Sequence, residues 1–92
     1  MKGENYQKTT RKGSIAGKYH RLEEYLSNSK KQIEVLTYDE IERILGFKLP
    51  PSAYKHRPWW ANGGHNQANS WLNAGWKVAS VNLGKSIKFI KG

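Results

Sequence analysis

All four tryptophans of this 92-residue chain lie in one segment, residues 49–78. A domain of this length buries only about 60–65% of the surface that its unfolded chain exposes, so large side chains must supply much of its core. The chain has only two phenylalanines and one methionine, so tryptophans are needed inside. We expect Trp71 and Trp76 to be core residues. Of the adjacent Trp59 and Trp60, one is expected to anchor the core and the other to line a functional site, because loops carry function more often than helices or strands do.

The charge of the chain is distributed unevenly. Lys and Arg total 16 against 7 Asp and Glu, which gives a formal net charge of +9. Residues 50–92 contain six basic residues and no acidic one, whereas residues 22–49 contain six acidic residues. A basic balance of this kind indicates a partner that carries phosphate or another negative charge. The cations of residues 50–92 have no carboxylate within their own segment, which makes that half the more informative one.

Local patterns predict both helices and strands. Thr37-Tyr38-Asp39-Glu40 has the pattern of a capping box, which predicts a helix that begins there and ends at Gly46. In the other helices, the apolar spacing directs Tyr25 and Leu72 toward the core. Alternating residues predict strands at 33–37, 76–81 and 86–91, and further helices are expected at 19–26, after Pro51 and at 65–74. The expected fold class is α+β, with three or four short helices packed on a small, mostly antiparallel sheet.

Two parts of the chain are expected to differ in order. Residues 1–18 form a basic, polar arm that we expect to be flexible, and residues 19–92 form a single domain. No stretch approaches the roughly 18–20 apolar residues of a membrane span, and the first residues lack the apolar segment of a secretory signal. The chain has no cysteine, which excludes disulfides and thiolate chemistry. We therefore expect a cytoplasmic protein with no membrane partner.

Cations, aromatic rings and neutral hydrogen-bonding groups alternate through residues 49–78. This mixture suits a nucleotide, because aromatic faces stack on a base for about 1–3 kcal/mol each. Guanidinium and ammonium groups bind phosphate, and amides hydrogen-bond to base edges. No metal or other cofactor is expected, because three histidines with no cysteine and no His/Asp cluster at ligand spacing make a poor metal site, and no catalytic residue is expected, because residues 49–78 contain histidines but no carboxylate. The candidate ligand-binding residues are Ser52, Lys55, Arg57, Trp59, Trp60, Asn62, His65, Gln67, Trp71 and Lys77.

Four separated motifs occur in order: Leu-Thr-Tyr-x-Glu-Ile-Glu-x-Ile-Leu-Gly, Leu-Pro-x-Ser-Ala, Trp-Trp-Ala-Asn and Gln-Ala-x-x-Trp-Leu-x-Ala-Gly-Trp-x-Val. In these motifs the chain resembles a family of small, functionally uncharacterised bacterial and phage domains. The resemblance covers residues 19–91 and implies no activity. If the chain is phage-encoded, it would act in the host cytoplasm.

Three functions follow from these observations as alternatives. The preferred one is a non-enzymatic sponge that captures a small phosphorylated nucleotide of the cyclic or ADP-ribose type, as a homo-oligomer, because one domain of this size can hardly enclose such a ligand. The second is DNA or RNA binding through the basic arm and the cationic face of the last strand. The third is metal-independent cleavage of RNA or a nucleotide by histidine, which the missing carboxylate disfavours. We expect replacement of Trp60 or Arg57 by alanine to weaken binding without unfolding the domain.

Overall fold

Three strands form one antiparallel sheet in the computed structural model, which describes residues 17–92. They are β1, Ile33–Thr37; β2, Trp76–Asn82; and β3, Ser86–Lys91, in the spatial order β1-β3-β2. The central strand is therefore β3, and β1 and β2 form the two edges. The register places Val35 and Ser80 on either side of Lys88, with an irregularity between Val78 and Ser80 in β2.

Short helices pack against one face of this sheet. Residues 17–92 form α1, His20–Asn28; α2, Tyr38–Leu45; α3, Pro51–Lys55; and α4, Asn66–Leu72, with 3₁₀ turns at Gly17–Tyr19 and Arg57–Trp60. Pro51 begins α3, as expected of a residue whose fixed φ suits a first helical position. None of these helices is both long enough and apolar enough to cross a membrane.

The clearest local signal in the sequence forms as predicted at the start of α2. The Thr37 hydroxyl accepts a hydrogen bond from the Glu40 amide (3.1 Å), and the Glu40 carboxylate accepts one from the Thr37 amide (2.8 Å). The helix ends at Gly46, whose φ of 86° is in the left-handed region that glycine adopts without strain. These two signals fix where β1 stops and α2 begins and ends.

The two faces of the sheet differ sharply in burial. Side chains alternate along β1 and β3, so that Leu36, Ile87 and Phe89 are buried on the inner face. The helices supply most of the rest of the core, including Leu22, Leu26 and Ile41. We call the opposite side the outer face. It consists of three cross-strand rows, which are Ile33, Ile90 and Lys77; Val35, Lys88 and Ser80; and Thr37, Ser86 and Asn82.

The predicted fold class is confirmed: the chain folds as one α+β domain with four helices on an antiparallel sheet. The predictions of an inward Tyr25 and an inward Leu72 were wrong, because both side chains are 38% exposed. In α4 the buried positions are Gln67, Ala68, Ser70 and Trp71, and Leu72 lies on the other side of the helix. Of the predicted arm, residues 1–16 lie outside the described residues, and Gly17 and Lys18 belong to the first 3₁₀ turn.

Candidate ligand surface

Asn62 joins the loop before α4 to the edge of the sheet. Its Oδ1 accepts hydrogen bonds from the Trp71 indole (2.9 Å) and the Val78 amide (2.8 Å), and its Nδ2 donates to the Val78 carbonyl (3.0 Å). On the side of β2 that has no neighbouring strand, the backbone N–H and C=O of Val78 are therefore both hydrogen-bonded to the Asn62 side chain. Asn62 is itself exposed, but its Oδ1 and one Nδ2 hydrogen are committed to these contacts, so the structure assigns Asn62 to the scaffold.

Trp60 belongs to a buried hydrogen-bonded cluster. Its indole N–H lies 2.9 Å from the Ala53 carbonyl and 3.0 Å from the Tyr38 hydroxyl, which itself donates to the Ala53 carbonyl (2.7 Å). The ring is 2% exposed and stacks on Trp71, with ring centres 5.8 Å apart. Trp60 is thus the member of the tryptophan pair that anchors the core. Its replacement by alanine removes a large buried side chain, which costs about 3–5 kcal/mol, so the structure does not support the expectation of a folded Trp60→Ala variant.

Gln67 and Trp71 also face inward from α4. Trp71 is completely buried and packs against Phe89, with ring centres 5.7 Å apart, and Trp76 is 2% exposed, as predicted for these two core tryptophans. The Gln67 amide is 7% exposed and donates to the Trp59 carbonyl (2.8 Å). Neither Gln67 nor Trp71 presents a surface that a ligand could contact in this structure.

The remaining candidates lie at the surface in separate places. Trp59 is half-buried and makes two edge-to-face contacts: its ring centre is 5.8 Å from that of Tyr19 and 4.7 Å from that of Trp60. The exposed candidates are Ser52 and Lys55 on α3, Arg57 in the second 3₁₀ turn, His65 before α4 and Lys77 on β2. The ten predicted site residues therefore do not line one pocket. They divide into a scaffold, in which Trp60, Gln67 and Trp71 are buried and Asn62 is exposed, and separate groups at the surface.

The outer face of the sheet brings together groups that the sequence prediction did not combine. Lys88 lies at its centre between Val35 and Ser80, and Lys77 lies in the next row beside Ile90. No acidic side chain of residues 17–92 lies on this face, because the one acid in the sheet, Glu34, points inward and is 6% exposed. The alternation of Lys88 with Ile87 and Phe89 is the sequence signal for this face, but the contribution of β2 depends on the strand order.

The acids of residues 17–92 lie mostly on α1 and α2, where cations accompany them. Arg43 and Lys31 lie close enough to Glu40 to help lower the pKa of its carboxyl, although the main cause is its hydrogen bond from the Thr37 amide. Lys55, Arg57, Lys77, Lys85 and Lys88 also form no side-chain hydrogen bond or ion pair with any of residues 17–92, and residues 50–92 contain no acidic residue to accompany them. Within residues 17–92, the net positive charge therefore comes from residues 50–92, which include Lys77 and Lys88 of the outer face.

The link between α2 and α3 contains a short carboxylate–phenol hydrogen bond. The Tyr54 hydroxyl donates to Glu42 Oε2 (2.5 Å), which also accepts from the Leu49 amide (2.8 Å). This bond and burial raise the pKa of Tyr54 to about 12. Burial alone would raise the pKa of Glu42, but the two hydrogen bonds and the nearby charge of Lys48 together outweigh it, so that this pKa lies below its ordinary value. Glu42 is therefore committed to a structural role.

Residues 17–92 contain no group of three or more histidine, aspartate or glutamate side chains placed to hold a metal ion.

A family model described as "Domain of unknown function (DUF7662)" matches residues 19–92. No curated protein and no solved structure matches the chain.

Proposed function

The chain belongs to this family of domains of unknown function, and from that premise we propose that it is a non-enzymatic, cytoplasmic protein that binds nucleic acid on the outer face of its sheet. One observation carries the proposal: the outer face contains Lys77 and Lys88 and no carboxylate. Affinity for nucleic acid comes largely from the neutralisation of phosphates by such side chains. The hydroxyl and amide groups of the third row are suitable donors to phosphate and sugar oxygens.

The shape of this face favours a polymer over a small ligand. A site for one small nucleotide is concave and buries most of its ligand, whereas the outer face is one exposed side of a sheet. Two of the three tryptophan rings among the candidate ligand-binding residues, Trp60 and Trp71, are in the core. An extended polyanion gains affinity from each phosphate that a cation neutralises along its path, and this does not require enclosure.

A small phosphorylated nucleotide is the second candidate, because Trp59 and Arg57 are close in sequence on the same 3₁₀ turn and neither is buried. A half-buried tryptophan and an unpaired guanidinium are the groups that stack on a base and bind its phosphate. In this case the chain would be a sponge for a cyclic or ADP-ribose nucleotide, and a second copy would complete the site.

The two candidates differ in which cations they use. We expect the full chain to bind a single-stranded oligonucleotide with an affinity that falls steeply with salt. The double variant Lys77→Gln with Lys88→Gln should bind about tenfold more weakly and lower the salt slope by about 1.4, the value for two lost phosphate contacts. Fluorescence anisotropy over a salt series measures both quantities.

The matched control removes the same charge from the acidic side of the protein. Arg43→Gln with Lys48→Gln removes two cations that lie near Glu40 and Glu42, and it should change the affinity much less. Equal losses in the two double variants would contradict the outer-face proposal. Stoichiometric binding of a cyclic or ADP-ribose nucleotide that only Arg57→Ala weakens would establish the second candidate. Cleavage of either ligand, abolished by His65→Ala, would show that the chain is an enzyme.

A further inference from the structure

The free edge of β1 presents unpaired backbone groups. The Lys91 amide donates to the Gln32 carbonyl (2.9 Å) and the Tyr38 amide donates to the Lys85 carbonyl (3.1 Å). Antiparallel strands bond through alternate residues, so the even-numbered residues of β1 face β3. The N–H and C=O groups of Ile33 and Val35 therefore point away from the sheet, and no group in residues 17–92 pairs with them. This is an open edge, the arrangement that accepts a further strand.

Exposed apolar side chains gather at the same edge. Ile33 is 50% exposed and Val35 is 58% exposed, and both lie on the outer face beside the unpaired backbone. Tyr25, which is 38% exposed, lies on the other side of β1, where its hydroxyl is 3.5 Å from the Glu34 carboxylate. A hollow of about 180 Å³ next to Leu36 is lined by Tyr25 and Ile44 and by the charged Glu40 and Arg43. Exposed apolar side chains therefore lie on both faces of the sheet at the open edge, with charged groups beside them on the inner face.

We infer that β1 pairs antiparallel with β1 of a second copy of this chain, so that two three-stranded sheets become one sheet of six strands. The pairing that satisfies every free group places Ile33 opposite Val35 of the partner and Val35 opposite Ile33 of the partner. Both residues face outward, so each pair exchanges two hydrogen bonds, four in total. The side chains in contact are β-branched, which favours cross-strand packing.

The charges at the two ends of β1 fit this antiparallel arrangement. Lys30 and Lys31 precede the strand, and Asp39 and Glu40 follow it. A two-fold axis brings the basic end of one copy toward the acidic end of the other, which is the complementarity that an isologous interface requires. The axis also brings the two Glu34 residues together. Each Glu34 carboxylate accepts a hydrogen bond from Ser29 (2.6 Å) and lines a hollow with Lys30 and Lys31, which lessens their repulsion.

Sedimentation velocity of the full chain over a concentration series tests the pairing. We expect a reversible monomer–dimer equilibrium that Val35→Lys weakens at least about tenfold, because the new charge lies between an apolar partner residue and Lys88. Ser80→Lys is the matched control: it adds the same charge beside Lys88 in the same row, but at the other edge. It should dimerise like the unmodified chain. A chain that stays monomeric at millimolar concentration, or equal effects of both variants, would overturn the inference.

Two further measurements keep the test independent of folding defects. The chain has no cysteine, so a mixture of Ile33→Cys and Val35→Cys chains should form an intermolecular disulfide. Each variant alone places its thiols on diagonal positions, beyond the roughly 7 Å between Cα atoms that a disulfide tolerates. Equal cross-linking in all three samples would exclude this register. Val35 amide exchange must also slow as concentration rises. A monomer with a protected Val35 amide would show that the edge is covered within one chain, which would also overturn the inference.

Discussion

The two edges of the sheet differ in whether their outward backbone groups have hydrogen-bond partners. At β2, the Asn62 side chain occupies both the N–H and the C=O of Val78, and a bulge lies next to this position. At β1, the corresponding groups of Ile33 and Val35 have no partner in residues 17–92, and their side chains are exposed and apolar. Side-chain caps and bulges are ways in which proteins prevent further strand pairing. One edge is therefore blocked, and the other is available.

This difference explains why the most distinctive part of the sequence is structural. Asn62, Trp71 and Val78 meet at the blocked edge, and Trp60 lies against Trp71 immediately beneath it. A short domain has few ways to fix a loop to a sheet edge, and here it uses a buried indole and an amide for that purpose. The exposed lysines of the outer face therefore lie on a sheet whose β2 edge is fixed to this loop.

Among changes at the two sheet edges, the largest effect is expected at Asn62. Asn62→Ala removes three hydrogen bonds and leaves the N–H of buried Trp71 unpaired, which should lower the free energy of unfolding by about 2–4 kcal/mol. Urea unfolding measures this loss. At high dilution, the Val78 amide of the unmodified chain should exchange with solvent much more slowly than the Val35 amide, and Asn62→Ala should bring the two rates together.

Asn82→Ala provides the control for Asn62. Asn82 is an exposed asparagine on the same strand, and its side chain forms no hydrogen bond with residues 17–92. Its replacement should change the free energy of unfolding by less than about 0.5 kcal/mol. If the two alanine variants lose the same stability, Asn62 does not close the β2 edge.

The elements of this fold were predictable where neighbouring residues determine them. The capping box at Thr37 and Glu40, the stop at Gly46 and the alternation of Ile87 and Phe89 act over a few residues, and all appear in the structure. The placement of the candidate site was not predictable in this way. Tyr38 is 22 residues from Trp60, and Asn62 is 16 residues from Val78. A sequence pattern shows that such residues can bind something, and only the tertiary fold shows that they bind one another.

An intermediate effect is expected at Tyr54, away from both edges. Tyr54→Phe removes the hydrogen bond to Glu42, which should cost about 1–2 kcal/mol near neutral pH. The pKa of Tyr54 is raised from 10.0 to about 12, so this contribution is complete below pH 10 and is lost as the pH rises through about 12. The pKa of Glu42 is lowered, so its contribution is present above 4.5 and is lost as the pH falls below that value. Urea unfolding across the pH range should show the alkaline loss in the unmodified chain and a smaller one in Tyr54→Phe.

Tyr25→Phe is the control for that measurement, because the Tyr25 hydroxyl forms only a long contact of 3.5 Å with Glu34. It should cost less than about 0.5 kcal/mol.

The hydrogen bonds that close the β2 edge at Val78 join amide groups alone, which do not titrate. The protection of the Val78 amide should therefore depend little on pH between 5 and 8, beyond the pH dependence of intrinsic exchange. A strong dependence would mean that a titrating group takes part in closing the β2 edge, as it does in the Tyr54–Glu42 hydrogen bond.

The smallest effect is expected at the open edge itself. Val35→Thr keeps a β-branched side chain of similar shape at a position that is 58% exposed, and no hydrogen bond within residues 17–92 depends on it. At high dilution, where chains are separate, the free energy of unfolding should change by less than about 0.5 kcal/mol. At high concentration the same variant should dimerise more weakly, because a hydroxyl replaces a methyl group at the paired edge. A loss of stability at high dilution comparable to that of Asn62→Ala would mean that the β1 edge is already packed within one chain, and the contrast between the two edges would then be lost.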